Sequence, residues 1–300
     1  MTCKKEKTSV RKKVLKKYVP SGKSFGRLYF LMARKEYIEP DPLLFLHKYR
    51  KKEVREVVAL IACSLAFGRV EAILASIEKV LRILSSLPGK DFAEVLKKNS
   101  PEELQKVFAD FQYRFVKGSS MALFLAGAGR LLNLYGSLEN AFLAGYDKKN
   151  EEDILPALEN FGKNLCYYFP ESKHFLFPVP SGKSACKRPF LMLRFLVRNR
   201  DVDTGTWKKI PPKKLLVPLD THMFRMAKVL GFTSLKSAGL PAAKEITEKF
   251  ASFDPEDPVK FDFPLTRFGI HPAFRGKNIV EVLQELEKEE ENNNDETFFL

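Results

Sequence analysis

The chain has 300 residues, 45% hydrophobic and 29% charged, which is enough apolar material for one large core or two smaller ones. Its 51 Lys and Arg against 37 Asp and Glu leave a net charge of +14, pointing to a polyanionic partner, nucleic acid before an acidic membrane. The longest uncharged apolar run, 57–68, is too short to span a bilayer and no apolar leader opens the sequence, so a cytoplasmic protein is expected.

Residues 1–24 form a basic arm, either a solvated terminus or a phosphate contact without sequence preference. Its P-S-G-K-S recurs at 180–184, but neither copy is a phosphate-binding loop, because the leading glycine that motif needs is Lys17 in one and Phe177 in the other. Pro40 and Pro42 are tolerated only in a first helical turn and place a helix start there. Helices are expected over 54–67, almost wholly apolar, and 70–87, with Pro88 and Gly89 as a break. Others follow near 101–109 (Ser100 cap), 119–135, 137–143 and 152–169. Ser137 caps weakly, since Asn140 offers no carboxylate for a capping box.

A turn at Ser181 and Gly182 precedes a buried helix over 184–198, a polar insert over 199–212 with the only Trp, and a helix that begins at Asp220 and stops before Gly231. Further helices are expected at 241–253 and 259–270, with 214–218 the one extended piece. From 281 the chain turns acidic and frays, with net −7 over 281–300 and hence +21 on the rest. Four scattered cysteines without C-x-x-C spacing predict reduced, mostly buried thiols and no metal. The fold class is all-α: a single domain over 25–280 made of two helical lobes, the stretch 180–231 at their junction, flanked by the arm 1–24 and the tail 281–300.

Lys187, near the start of one helix, and Asp220, at the N-terminus of the next, are the two groups that could do chemistry together. Each also has a plainer reading: Asp is among the best N-caps, and Lys187 and Arg188 could be surface cations. His222 reads as a helix-packing or hydrogen-bonding histidine, and Trp207 as a core anchor. Asp201 and Asp203 make local backbone bonds, or hold Lys187 or a metal; Arg267 and His271 are junction residues without a role.

The run V-P-L-D-T-H-M-F-R at 217–225 resembles the helix-hairpin-helix DNA glycosylase superfamily. Together with P-S-G-K-S-A-C-K-R, V-D-T-G-T-W, L-I-A-C-S-L-A-F-G-R-V-E and Y-G-S-L-E-N-A-F, it is similar to a bacterial family of that superfamily over 41–271. The resemblance implies a helix-hairpin-helix-like element at the lobe junction, with 180–186 as the hairpin turn. It also implies that Asp220 is the carboxylate that stabilises positive charge on the sugar, or assists the nucleophile, and that Lys187 is the hairpin lysine of glycosylase/lyases, at a spacing most like the archaeal 8-oxoguanine glycosylase branch. The turn carries one glycine where the superfamily usually has two. It further implies a partner, damaged or abasic DNA, gripped by Ser181, Gly182, Lys183, Ser184 and Arg188, and a monomer without cofactor or membrane contact.

Cleaving a base builds positive charge on the sugar, which a fixed carboxylate offsets, while a neutral lysine amine can attack the anomeric carbon. A base taken out of the stack needs an apolar pocket, for which position suggests Phe190, Trp207 and Phe224. Two other readings stand beside the enzyme: a non-catalytic nucleic-acid-binding module, distinguished by whether Lys187 and Asp220 face one site, and an interaction protein using its arm and tail, distinguished by the absence of steeply salt-dependent DNA binding.

Overall fold

Ser21 starts the first helix: its side chain accepts from the Ser24 amide and caps α1 (Gly22–Met32), whose Phe25, Leu28 and Met32 are buried. The computed structural model describes residues 20–146, 154–169, 175–181, 184–274 and 276–292. Most of the expected arm (1–19), the last eight residues of the expected tail, and Gly182 and Lys183 lie outside the described residues. Residues 22–24, expected in the arm, belong to α1.

The first lobe holds α2 (Leu43–His47), α3 (Lys52–Ser64), α4 (Val70–Ser85), α5 (Phe92–Lys98), α6 (Pro101–Val107), α7 (Gly118–Tyr135), α8 (Leu138–Leu143), α9 (Leu155–Leu165) and α10 (Lys187–Val197). A two-stranded hairpin, β1 (Gln112–Tyr113) and β2 (Val116–Lys117), precedes α7 and pairs antiparallel with Tyr113 opposite Val116. The hairpin and α5 had no counterpart in the expected elements. As the apolar composition of 54–67 required, α3 is central, with every residue from Val57 to Ser64 buried. Around it, α7 crosses its neighbours at backbone contact distance: a Cβ on Gly127 would stand 1.8 Å from the Leu165 carbonyl oxygen, and one on Gly129 2.1 Å from that of Leu96.

The second lobe comprises α11 (Thr221–Val229), α12 (Leu240–Ala251), α13 (Asp262–Ile270) and α14 (Ile279–Asn292), closed by α1 from the start of the chain. Phe25 lies at its centre, with the rings of Phe232, Phe250, Phe253 and Phe261 5.2 to 6.0 Å away. The expected tail begins as structure: Leu283 and Leu286 are buried, and Arg27 of α1 donates to the Leu286 carbonyl (3.1 Å). Residues 281–292 are therefore helix, because apolar residues at three-residue spacing outweigh the acidic composition on the opposite face. Residues 214–218 contain no strand, and the fold is all-α apart from the hairpin. No described helix is long and apolar enough to cross a membrane.

Two buried polar systems fix the layout. Glu56, on α3, accepts from the Leu138 and Glu139 amides (2.9 Å each) and from Trp207 Nε1 (2.8 Å). It supplies the α8 cap with the carboxylate that Asn140 cannot, and burial pushes its carboxyl up despite these three donors. Across the lobe junction, Arg194 of α10 and Arg198, which caps that helix, engage Asp203, Asp262 and Asp257, while Arg267 of α13 pairs with Asp41 at 2.5 Å. These arginines are almost wholly buried, so each depends on its carboxylates to offset desolvation.

Candidate functional site

Cys186 determines where Lys187 points. It adopts a left-handed backbone (φ 51°), a region L-residues rarely enter, and its amide donates to Ser184 Oγ at 3.1 Å. A residue in that conformation cannot sit inside a helix, so α10 begins at Lys187 and not at 184 as its sequence suggested. Burial pushes the Cys186 thiol up to about 12, so it is no competing nucleophile.

The second half of the site comes from the other lobe. Val217 donates to Thr247 Oγ1 (2.9 Å), and the short segment that follows delivers Asp220, itself extended, to the N-cap of α11, where Oδ1 accepts from the Met223 amide at 2.8 Å. Its Oδ2 stands 3.0 Å from Lys187 Nζ, with the two side chains 30% and 32% exposed. Capping and pairing use different oxygens of one carboxylate. Burial raises the Asp220 carboxyl, but Lys187, the Met223 amide and the neighbouring His222 outweigh it and hold it below the usual carboxylate range. Asp220 is therefore ionised at neutral pH. His222 packs its ring onto Gly269 of α13, where a Cβ would lie 2.5 Å from Nε2, and that nitrogen is buried without a hydrogen-bond partner.

Beside the pair lies a cluster of which the sequence singles out only Arg188. The Arg188 guanidinium stacks 4.1 Å from the Phe175 ring and 5.4 Å from that of Phe67, and donates to the Ser64 carbonyl at 3.4 Å. Phe115, at the tip of the β1–β2 hairpin, completes the group at 4.2 Å from Phe175 and 5.3 Å from Phe67, and is 57% exposed. Arg114 approaches the Phe67 ring from the same hairpin at 5.8 Å. Burial lowers the Arg188 guanidinium to about 10. The members come from four separated segments, and the one local signal was an Arg-Phe pair in a stretch without helical periodicity.

Two of the expected pocket residues are placed elsewhere. Phe190 is fully buried between the first-lobe helices, and Trp207, 1% exposed, packs 5.5 Å from Phe142 with its indole N–H on Glu56. Neither presents a ring to a bound base, because apolar area and the buried carboxylate hold both in the core. Phe224 is half-buried against the second-lobe core, with Lys228 Nζ 5.8 Å from its ring. Ser181 is exposed, but its amide and hydroxyl donate to the Glu159 carboxylate at 2.8 and 2.6 Å. Asp201 and Asp203 hold Arg198, while Lys187 is on Asp220. Arg267 is a junction residue, as read, and donates to the Tyr37 carbonyl as well as to Asp41. Among the described residues no three His, Cys, Asp or Glu side chains converge as a metal site.

The geometry defines a class: a two-lobed helical protein with a solvent-reachable lysine–aspartate pair at its lobe junction. The sequence profile of a family described as "Protein of unknown function (DUF2400)" matches residues 41–271, and the chain belongs to that family. Searches of curated proteins and of solved structures found no match.

Proposed function

We propose that this chain is a DNA base-excision enzyme of the helix-hairpin-helix glycosylase kind, with associated lyase activity. One observation carries the reading: Lys187 and Asp220, contributed by different lobes, meet at 3.0 Å within reach of solvent. An Asp220 ionised at neutral pH suits the positive charge that develops on the sugar as the base leaves with the bonding electron pair. The leaving base or solvent takes the proton that Lys187 gives up, and the freed amine, held 3.0 Å from Oδ2, attacks the anomeric carbon. Ring opening of that adduct leaves a Schiff base. The arginine–phenylalanine cluster supports a nucleic-acid substrate, since exposed rings beside cations suit unstacked bases next to phosphates. The net charge of +14 points the same way.

A second reading, a non-catalytic DNA-binding member of the same superfamily, is favoured by the same ion pair, in which the lysine is engaged as a cation. Borohydride trapping on duplex and single-stranded oligonucleotides carrying damaged bases or abasic sites separates the two. The enzyme reading expects a covalent adduct in the parent that Lys187→Gln does not form. DNA binding without any adduct on the whole panel would leave the binding module in its place.

A further inference from the structure

At the other end of α3 from the lysine–aspartate pair, a cavity of about 560 Å³ opens between the residues that lead into α3 and the connection from α4 to α5. Four cations line it, Lys48, Arg50, Lys51 and Lys90, against one carboxylate, Asp91. That carboxylate is already committed: Oδ2 accepts from Lys51 at 2.6 Å, and Oδ1 caps α5 through the Glu94 amide at 3.0 Å. Glu94 is committed too, to Lys98 at 2.6 Å and to the Lys90 amide at 2.8 Å. Lys48 lies over the Phe45 ring at 4.8 Å, while Arg50 and Lys90 are exposed with no carboxylate within ion-pair distance among the described residues. The site thus carries uncompensated positive charge in a concave setting, where a low-dielectric wall strengthens its pull on an anion.

Its other side is apolar. Leu84, Leu87, Val95 and Phe92 form a wall, with the Tyr49 ring 5.5 Å from Phe92. Gly89 lets the connection press onto α5, since a Cβ there would stand 2.7 Å from Val95 Cγ2. The volume falls in the range of small-molecule sites. A bare phosphate would leave this wall unused, and an apolar ligand would leave the cations unpaired.

We infer that this cavity is a binding site for a nucleoside phosphate, with the phosphates on Arg50, Lys90 and Lys48 and the nucleoside against the Tyr49 and Leu84 side. It is separate from Lys187 and Asp220: α3 runs from Lys52 beside the cavity to Ser64 beneath Arg188, about 18 Å along the helix axis. The same chemistry could come from a free nucleotide or from the phosphorylated end of a strand.

Titration calorimetry of the full chain at about 150 mM salt, where weak surface attraction is screened, tests this. The probes are ATP, ADP, adenosine, inorganic triphosphate, and one short oligonucleotide with a 5′-phosphate or a 5′-hydroxyl. ATP and ADP should bind saturably, adenosine should not, and triphosphate should bind more weakly than ATP. The double variant Arg50→Glu/Lys90→Glu should lose at least about tenfold in affinity, since charge-assisted contacts become repulsive, while Lys187→Gln binds like the parent. Both exchanged residues are on the surface, and an unchanged unfolding temperature checks that the fold is kept. Competition by the 5′-phosphorylated oligonucleotide alone would assign the ligand to a strand end; failure to compete would assign it to a free nucleotide. No saturable binding by any phosphorylated probe, or undiminished binding by the double variant, would overturn the site. Triphosphate binding as tightly as ATP would overturn the nucleoside part.

Discussion

Asp262 of the second lobe accepts from Arg194 of the first, on the same helix that Lys187 begins. Arg194 is also close to Asp203 and Asp41, so its single charge faces three carboxylates and they raise its basicity despite complete burial. Asp203 and Asp41 have arginines of their own, Arg198 and Arg267, whereas Asp262 has Arg194 alone. Burial pushes Asp262 up to about 6 even with Arg194 on it, and its Oδ1 has no hydrogen-bond partner. The lobe junction therefore holds a carboxyl that titrates within the physiological range close to Asp220.

The sign of the resulting pH dependence follows. Below about pH 4, Asp262 is protonated in both folded and unfolded chains and its ionisation costs nothing. As pH rises from there through about 6, the unfolded chain ionises first, so stability falls, by roughly 2 to 3 kcal/mol at most. Asp262→Asn has no such fall. Thermal unfolding from pH 4 to 8 should show the variant gaining on the parent up to about pH 6.5 and a constant difference above it. A difference independent of pH would mean that Asp262 is ionised throughout.

Capping and chemistry can be separated at Asp220. Asparagine caps a helix about as well as aspartate, whereas alanine loses about 1 kcal/mol. The pair with Lys187, 32% and 30% exposed, adds about 1 kcal/mol or less. Asp220→Asn should therefore stay close to the parent in urea unfolding, Asp220→Ala should be weaker, and neither should form the borohydride adduct. Because Asp220 is held below the usual range, its contribution to stability is present above about pH 4 and lost only as pH falls through the lower folded value. An adduct from Asp220→Asn at the parental rate would remove this carboxylate from the mechanism.

Gly269 and His222 should couple. Ala for Gly within a helix ordinarily stabilises by about 1 kcal/mol. Here the new Cβ would meet three ring atoms of His222 at 2.5 to 2.7 Å, so Gly269→Ala should destabilise instead. In the His222→Ala background the ring is gone and the same change should become neutral or favourable, a coupling of about 1 to 2 kcal/mol. Denaturant titration of the two single variants and the double variant measures it, and strict additivity would show that the ring moves aside freely.

Much of this was legible in sequence because it is local. The Pro and Gly breaks, the caps at Ser100, Ser137 and Asp220, and the apolar run of α3 each act within a few residues, and the structure keeps all of them. What escaped is set by distant contacts. Residues 22–24 and 281–292 read as charged flanks because the apolar faces of α1 and α14 are completed only in the second-lobe core, by residues distant in sequence. Trp207 takes its core-anchor reading and not its pocket one, and nothing near it in sequence shows that Glu56 and Phe142 enclose the indole; Phe190 is likewise buried in the first-lobe core. The clustered rings of Phe67, Phe115 and Phe175 draw on separate segments and share no spacing at all. Lys187 and Asp220 could be named as partners, but their 3.0 Å approach depends on the left-handed Cys186 and on the Arg194–Asp262 junction, which spacing does not encode.

The exposed ring of Phe115 carries the last prediction, because it separates stacking from charge. At 57% exposure it contributes little to folding, so Phe115→Ala should leave stability within about 0.5 kcal/mol of the parent. If unstacked bases rest on this cluster, the variant should lose about 1 to 3 kcal/mol of affinity for single-stranded or abasic DNA, with an unchanged salt slope because no phosphate contact is removed. Arg114→Gln, on the same hairpin, should do the converse, weakening binding to all sequences and lowering the salt slope by about one. Fluorescence anisotropy with labelled oligonucleotides across a salt series reads both quantities. Trp207 provides an internal control: as the only Trp, locked on Glu56 in the core, its emission should stay constant while DNA binds. Equal losses and equal slopes for the two variants would mean that the cluster acts as a general electrostatic surface, and that the rings pack only against one another.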